Sequence, residues 1–190
     1  MGILINRIGY FALELRDFSD PFETLLRAIV YQQLSGKAAA TIHQRVLALF
    51  PGASHPEPAQ LLRKRPATLR RAGLSNNKML AIRDLATKIL DGTVPSAVEL
   101  KKMADEDIIK ELTKVRGIGR WTAQMLLIFQ LGRPDVLPAD DLGIRKGYMR
   151  AYGKRKLPDQ SKLEIAGRRW RPYRSIASWY LWRAADQDGL

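Results

Sequence analysis

Three observations predict an all-α fold for this chain of 190 residues. Apolar side chains recur at spacings of three and four in segment after segment, which places them on one face of a helix. Ser, Asp, Pro and Gly, the residues that begin and end helices, separate these segments. Sustained alternation of apolar and polar residues is missing apart from a brief patch at residues 10–15, so strands are not expected.

The first strongly patterned helix is predicted directly after Asp20-Pro21, an N-cap followed by proline at the first helical position. We expect it to end near residues 34–36, and a second helix to run from Lys37 to Pro51. The apolar stripe of the first helix consists of Phe22, Leu25, Leu26, Ile29 and Val30. Further helices are predicted after Pro58 and Pro66, after a cap at Asn76 or Asn77, from Ser96, from Asp105, on both sides of residues 116–119, after the acids at 140–141, and on both sides of Pro172 between residues 161 and 185.

The length suits one domain or two tightly merged lobes, and we expect a single catalytic domain over residues 1–190. With 46% hydrophobic and 27% charged residues, the composition is that of a soluble globular protein. A formal net charge of +13 attracts polyanions, either nucleic acid or an anionic membrane. The apolar runs are too short to span a membrane, and the first ten residues lack a signal-peptide pattern. We therefore expect nucleic acid rather than membrane as the partner. The expected location is the cytoplasm, with association to the nucleoid in a bacterium, or the nucleus in a eukaryote.

The chain has no cysteine, which excludes disulfides, thiolate metal sites and cysteine-ligated iron–sulfur clusters. Its two histidines, His43 and His55, are too few for a histidine-rich metal centre. Each is expected to be a surface or packing residue. No nucleotide-binding loop or metal-ligand cluster is apparent, so no catalytic cofactor and no metal site are predicted.

The most informative segment is LTKVRGIGRWTAQML at residues 112–126, where one helix is expected to run into a Gly-x-Gly turn and another to leave it. The glycines permit positive φ and close approach of a bulky partner. Unpaired N–H groups at the start of the second helix can bind a phosphate. The predicted DNA-binding hairpin comprises Arg116, Gly117, Ile118, Gly119 and Arg120. Taken alone, such a turn is more often an ordinary helix-turn-helix corner.

The segments around the hairpin resemble the helix-hairpin-helix DNA glycosylase superfamily. LPADDLGIR at 137–145 falls where that superfamily keeps its catalytic aspartate. AIVYQQLSGKAA at 28–39, LRRAGLS at 69–75 and WRPYRSIASWYLW at 170–182 resemble its alkylbase branch, the bacterial and fungal 3-methyladenine DNA glycosylases. The resemblance implies a two-lobed helical fold with the active-site cleft between the lobes. The sequence departs from the larger bacterial enzymes in two respects. It has no counterpart of their separate β-rich N-terminal lobe, which leads us to expect the compact type, and it starts abruptly, as if the helix before Gly9 were shortened.

Cleavage of an N-glycosidic bond builds positive charge on the deoxyribose, and a fixed carboxylate in a water-poor pocket stabilises that charge and orients or deprotonates water. Asp140 and Asp141 lie between a proline turn and a predicted helix, so one is expected to face the pocket and the other to cap the helix. By resemblance, Asp141, directly before Leu-Gly, is catalytic and Asp140 is the cap. The alternatives are that the roles are exchanged or that both acids only cap.

Superfamily members that also cut the DNA backbone carry a lysine where this chain has Trp121, and tryptophan cannot form a Schiff base. We therefore predict hydrolysis without lyase activity. Trp121 and Met125 share a helix face, and the resemblance adds Trp182 to the same base pocket. A tryptophan face attracts a cationic alkylated purine that has been flipped out of the duplex. The alternative is that all three are core residues.

The resemblance also implies that a side chain from the loop after the first conserved helix fills the gap left by the flipped base. Gln33 is the first candidate for this plug, followed by Leu34 and Ser35. The alternative is that Leu34 packs in the core and the glutamines cap the helix end. Residues 142–183 carry 12 Lys and Arg against Asp159 and Glu164, and this run either follows the phosphate backbone or is simply solvated.

The sequence thus predicts a monomeric, monofunctional glycosylase that releases 3-methyladenine from duplex DNA in base excision repair, with 7-methylguanine and ethenoadenine as further candidate bases. By resemblance, carbonyls of the hairpin turn hold a monovalent cation that bridges to a phosphate. One alternative is a glycosylase for uracil or mismatched bases on the same fold. The other is a non-enzymatic module that uses the hairpin only to grip DNA.

Overall fold

The computed structural model describes residues 1–15, 18–52 and 54–186, and over these residues it contains helices and no strand. The helices are α1 (Gly2–Ile8), α2 (Pro21–Tyr31), α3 (Gly36–Leu47), α4 (Pro58–Arg63), α5 (Pro66–Arg71), α6 (Asn76–Leu90), α7 (Ala97–Lys102), α8 (Asp105–Leu112), α9 (Arg120–Phe129), α10 (Leu142–Ala151), α11 (Gln160–Gly167) and α12 (Arg174–Asp186), with a turn of 3-10 helix (Arg168–Trp170) after α11. The all-α prediction is confirmed. No described helix has the length and apolar character needed to cross a membrane.

Capping side chains determine where several helices begin. Asp20 accepts a hydrogen bond from the backbone N–H of Phe22 at 2.7 Å, and Pro21 is the first residue of α2, as predicted. Ser96 caps α7 through a reciprocal pair of hydrogen bonds with Glu99. These starts are local in origin, because each cap reaches an N–H two or three residues away.

Two predicted helix starts are wrong by one or two residues. Helix α3 begins at Gly36 rather than Lys37, because Ser35 is its N-cap. Helix α6 is capped by Ser75 rather than by an asparagine, since the Ser75 hydroxyl accepts from the N–H of Lys78 at 3.2 Å. In both cases a serine directly before the helix satisfies an N–H group that would otherwise have no partner.

The chain divides into two compact units, one formed by residues 18–123 and the other by the residues before and after that range. In the 18–123 unit, α6 packs against α2, α4 and α5, and α2 also packs against α3. The predicted apolar stripe of α2 is buried throughout: Phe22, Leu25, Leu26, Ile29 and Val30. This unit carries the hairpin and the loop predicted to plug the DNA.

The second unit is built on the packing of α10 against α12, with α1 also resting on α12. Gly147 of α10 lies at the closest approach, where an added Cβ would be 1.8 Å from the carbonyl oxygen of Leu181. Two backbones can pass this closely only where one of them carries no side chain. The packing brings the start of α10 next to the C-terminal half of α12.

Candidate functional site

Asp141 is the N-cap of α10, and its Oδ1 accepts two hydrogen bonds. The backbone N–H of Ile144 donates to it at 2.8 Å, and the indole Nε1–H of Trp182 donates at 2.9 Å. The first bond is the usual capping contact; the second comes from α12, 41 residues further along the chain. Together they hold the half-buried carboxylate in one orientation at the positive end of a helix dipole.

The expectation that Asp140 caps α10 is wrong. The side chain of Asp140 is exposed, whereas Asp141 directly precedes the first helical residue, Leu142. A side chain reaches the N–H groups of the first helical turn from that position. One carboxylate, that of Asp141, therefore both caps α10 and contacts the tryptophan, whereas the sequence predicts the cap at Asp140.

Trp182 is held on two sides. Its indole N–H is bonded to Asp141, and its ring stacks on Phe129 with centroids 5.6 Å apart and planes at 28°. An added Cβ on Gly143 would lie 2.9 Å from Trp182 Cδ1 and 3.0 Å from Asp141 Oδ1. Sequence reasoning missed both Phe129 and Gly143. Phe129 follows Met125 by four residues, a helical spacing that could have indicated it, whereas nothing local marks Gly143.

The segment that leads into Asp141 is anchored on the start of α12. The hydroxyl of Ser175 donates to the carbonyl of Arg133 at 2.6 Å and accepts from the N–H of Val136 at 3.0 Å. The carboxylate of Asp135 accepts from Arg174 Nε at 2.6 Å and from Arg174 Nη2 at 2.9 Å. The hydrogen bond from Arg174 lowers the pKa of Asp135 below its ordinary value, so this anchor stays ionised at neutral pH.

The predicted hairpin lies between α8 and α9 of the chain. Gly117 has φ +79°, and a Cβ added there would be 3.3 Å from the Cβ of Ala81. Ile118 is buried, and its N–H donates to the carbonyl of Val115 at 3.0 Å. Gly119, in contrast, has open space around it. The turn therefore needs glycine at 117 for its backbone conformation, while Gly119 leaves the surface accessible.

Helix α6 holds the hairpin through Asp84. One of its carboxylate oxygens accepts from the backbone N–H of Arg116 at 2.7 Å and from Lys88 Nζ at 2.7 Å. Burial by itself raises the pKa of Asp84, but these two donors outweigh it and the pKa lies below the ordinary value. The guanidinium of Arg120 is paired with the carboxylate of Glu106 on α8, which links the two hairpin helices at an exposed position.

The loop after α2 is tied to the hairpin and to α6. The side-chain amide of Gln32 donates to the carbonyl of Gly117 at 2.9 Å. Lys78 Nζ donates to the carbonyls of Val30 and Gln32 at 2.8 and 2.7 Å, and its burial lowers the pKa of Lys78. The end of α2 is therefore fixed from both sides.

The three plug candidates differ in their surroundings. Gln33 is exposed and has φ +54°, the only positive φ among the described non-glycine residues. Leu34 is 41% exposed, so the alternative that it packs in the core is wrong. Ser35 is exposed and engaged as the cap of α3, with its hydroxyl 3.4 Å from the N–H of Ala38. A non-glycine residue in this left-handed region carries strain of about 1–3 kcal/mol, which distinguishes Gln33 from Leu34 and Ser35.

The predicted base-contacting residues differ in burial: Trp121 lies at the surface, whereas Trp182 packs against the apolar core of its own unit. Trp121 is 42% exposed in the first turn of α9, and Met125, four residues on, is half-buried, as is Trp182. His43 is buried and packs edge-on against Tyr31 at 6.0 Å between ring centroids, which fits the packing role expected of it. The described residues include no group of three or more His, Asp or Glu that could hold a metal ion.

A glycine-turned hairpin between two helices is the motif that defines helix-hairpin-helix proteins, and this chain has in addition a carboxylate fixed at a helix start. Residues 26–172 match the family model described as HhH-GPD superfamily base excision DNA repair protein. The chain belongs to this superfamily. The resemblance inferred from the sequence is thereby confirmed.

Relatives and solved structures point in the same direction. The chain is 36% identical over 166 residues to DNA-3-methyladenine glycosylase 1 of Schizosaccharomyces pombe, covering 87% of this chain and 73% of that protein. A solved 3-methyladenine DNA glycosylase from S. pombe, in complex with abasic DNA, superposes with a TM-score of 0.86 at 34% identity over 96% of this chain and 89% of that one. A DNA-3-methyladenine glycosidase from Bacillus halodurans superposes with a TM-score of 0.87 at 38% identity, covering 98% and 84%.

Proposed function

We propose that this protein is a monofunctional DNA glycosylase that hydrolyses the N-glycosidic bond of 3-methyladenine in duplex DNA, with 7-methylguanine and ethenoadenine as further candidate bases. The observation that carries the proposal is the carboxylate of Asp141, fixed between a helix N-terminus and the indole N–H of Trp182. The names of its relatives, and the abasic DNA bound to one of them, support the same activity.

The chemistry follows from the position of one anion. As the bond between C1′ and the base breaks, its electron pair leaves with the base and positive charge develops on the sugar. The Asp141 carboxylate stabilises that charge and accepts a proton from the water whose oxygen bonds to C1′. Alkylation has already made the base a good leaving group, so this route needs no metal ligand or redox group from the protein.

The base is proposed to be recognised mainly by aromatic faces. Trp182 is braced by Phe129 and by Asp141, and Trp121 presents an exposed indole from α9. Indole rings attract flat cationic bases without a base-specific hydrogen-bond pattern, and Met125 adds a polarisable contact. Trp121 also stands where the lyase members of the superfamily carry lysine, so we propose that the sugar–phosphate backbone is left intact.

The protein is proposed to act as a monomer. It contacts duplex DNA through the hairpin and the loop after α2. The N–H groups that open α9 bind a phosphate without regard to sequence. Carbonyl oxygens of the hairpin are proposed to coordinate a monovalent cation beside that phosphate. The carbonyl oxygen of Gly117 accepts a hydrogen bond from Gln32 and retains a second lone pair for such a cation. Gln33, strained and exposed, is proposed to fill the space left by the flipped base. The basic run at residues 142–183 would follow the flanking phosphates.

The deciding experiment is to incubate the protein with methylated duplex DNA and to identify the released bases by chromatography. We expect free 3-methyladenine, an abasic site and no strand break. Release of uracil or a mismatched base without any alkylated purine would overturn the proposed substrate. A protein–DNA adduct trapped by borohydride would overturn the monofunctional mechanism.

A second prediction concerns Gly143. The alanine variant, Gly143→Ala, places a methyl group 2.9 Å from Trp182 Cδ1 and 3.0 Å from Asp141 Oδ1, so both side chains must shift slightly away from residue 143. Because misplacement by about 1 Å can cost up to roughly 10²-fold and this shift is smaller, we expect single-turnover base release to slow by about 3- to 10-fold. Gly36→Ala is the matched control, since no atom lies within 4 Å of a Cβ at this helical glycine. Equal rates for the two variants would contradict the proposed role of the Asp141–Trp182 contact.

A further inference from the structure

We propose that four arginines at the turn between α4 and α5 form a second surface for the DNA backbone, separate from the hairpin. This surface, called the α4–α5 corner below, consists of Arg63, Arg65, Arg70 and Arg71. The inference rests on duplex DNA being the partner under the proposed function. It adds a place where DNA beyond the lesion is held.

Charge is segregated along the 18–123 unit. Residues 58–83 contain seven Lys and Arg and no Asp or Glu, while residues 84–111 contain seven acids. Five of the seven basic residues fall within the nine residues 63–71. So dense a cluster of like charges repels itself unless an anion is nearby, and residues 58–83 themselves contain no acidic side chain.

The four arginines also differ from other cations of the same unit in their partners. Lys88 pairs with Asp84, Lys114 with Glu111 and Arg120 with Glu106. All four side chains of the α4–α5 corner are exposed, and no described acidic residue forms an ion pair with them. Their guanidinium groups are therefore available to an external anion.

Helix-dipole stabilisation explains only part of this cluster. Arg63 ends α4, and Arg70 and Arg71 end α5, where a cation is favourable. Arg65, however, is the N-cap of α5, a position at which a cation is unfavourable. A binding role accounts for all four.

The α4–α5 corner is a firm platform. Arg83 of α6 donates from Nη1 to the carbonyls of Leu62 and Lys64, at 3.0 and 3.1 Å. Leu61 of α4 and Leu69 of α5 are fully buried. Guanidinium groups displayed on fixed helices suit phosphate oxygens, which they bind in a bidentate manner.

A membrane surface is the less suitable partner. Membrane-binding helices combine basic residues with large exposed apolar anchors, and no large hydrophobic side chain is exposed at residues 58–83. A polyanion without an apolar phase fits this composition better. Duplex DNA is such a polyanion, and the proposed function already requires the protein to bind it.

The test is the salt dependence of binding to an undamaged duplex, measured by fluorescence anisotropy. Each phosphate contact contributes about 0.9 to the slope of log Kd against log salt concentration. We expect the slope for Arg70→Gln/Arg71→Gln to fall by about 1 to 2. The matched control is Lys101→Gln/Lys102→Gln, which removes the same charge from the last turn of α7 in the same unit and is expected to keep the original slope.

Equal slopes for the two double variants would overturn the inference, whether or not the wild-type protein releases alkylated bases. If the variant fails to fold by thermal melting, Arg63→Gln/Arg65→Gln provides the same comparison. The inference would also be overturned if Arg70→Gln/Arg71→Gln lost binding to phosphatidylserine vesicles while its salt dependence of DNA binding stayed unchanged. The Lys101→Gln/Lys102→Gln control is expected to release bases at the wild-type rate. A wild-type protein that releases no base, but whose salt dependence changes only in the Arg70→Gln/Arg71→Gln variant, would contradict the proposed function and leave this inference standing.

Discussion

Replacing Asp141 with asparagine is expected to slow base release by about 10²- to 10⁴-fold while the protein stays folded and binds DNA. The amide oxygen of Asn can still accept hydrogen bonds from Ile144 N and Trp182 Nε1, and asparagine is as good an N-cap as aspartate. Only the negative charge is lost, and with it the stabilisation of the cationic sugar. Single-turnover release of 3-methyladenine, with a thermal melt on the same sample, measures both effects.

Asp140→Asn is the matched control for this prediction. It makes the same chemical change one residue earlier, at an exposed side chain that caps nothing, so the original rate is expected. If Asp140→Asn were the slower of the two variants, the catalytic role would pass to that residue. Asp141→Ala removes both the charge and the capping bond, whereas Asp141→Asn removes the charge alone. The alanine variant should therefore lose about 1 kcal/mol of stability in addition to its activity.

The largest expected effect on stability is that of Gly147→Ala. Its methyl group would lie 1.8 Å from the carbonyl oxygen of Leu181 and 2.6 Å from the carbonyl carbon, which are backbone atoms that no change of rotamer can move. Helices α10 and α12 must therefore separate, and the apolar contacts between them are lost. We expect a loss of about 3 kcal/mol in the free energy of unfolding, which corresponds to a fall in Tm of roughly 6–12 °C for a chain of this size.

Gly36→Ala again provides the comparison, since a Cβ there meets open space and its effect should stay within about 0.5 kcal/mol. Urea denaturation at a constant m-value would measure the two variants against the wild type. If Gly147→Ala unfolded at the same urea concentration as Gly36→Ala, the close approach of α10 and α12 would be contradicted. Because α10 carries Asp141 and α12 carries Trp182, slower base release should accompany the loss of stability.

The outline of this protein could be predicted from its sequence because that outline depends on neighbours in the chain. The apolar stripe of α2, the Asp20 cap and the Ser96 cap are set by residues two to four positions apart. The glycine turn of the hairpin is likewise local, since Gly117 occupies a positive φ that other residues adopt at a cost. Family resemblance then supplied the expected roles of Asp141 and Trp182.

The errors are also local and small. Competing polar residues at a helix start differ by one or two positions, and the sequence pattern does not distinguish them. Ser75 caps α6 in place of an asparagine, and Asp141 caps α10 in place of Asp140. Which candidate wins depends on the backbone of the preceding turn, and that turn is held by the rest of its unit.

By itself, then, the sequence determined the helices, the hairpin turn and the superfamily, all of which follow from interactions over a few residues and from motifs in order. Only the tertiary structure decided which groups meet over long separations, namely the indole of Trp182 with Asp141 and the Gln32 amide with Gly117. It also decided that, among the residues the structure describes, no acid pairs with the arginines of the α4–α5 corner. The physical reason is that such contacts depend on how closely segments distant in the chain approach one another. Between α10 and α12 this distance is set at Gly147, where the absence of a side chain admits the backbone of Leu181, and no periodicity in the sequence records it.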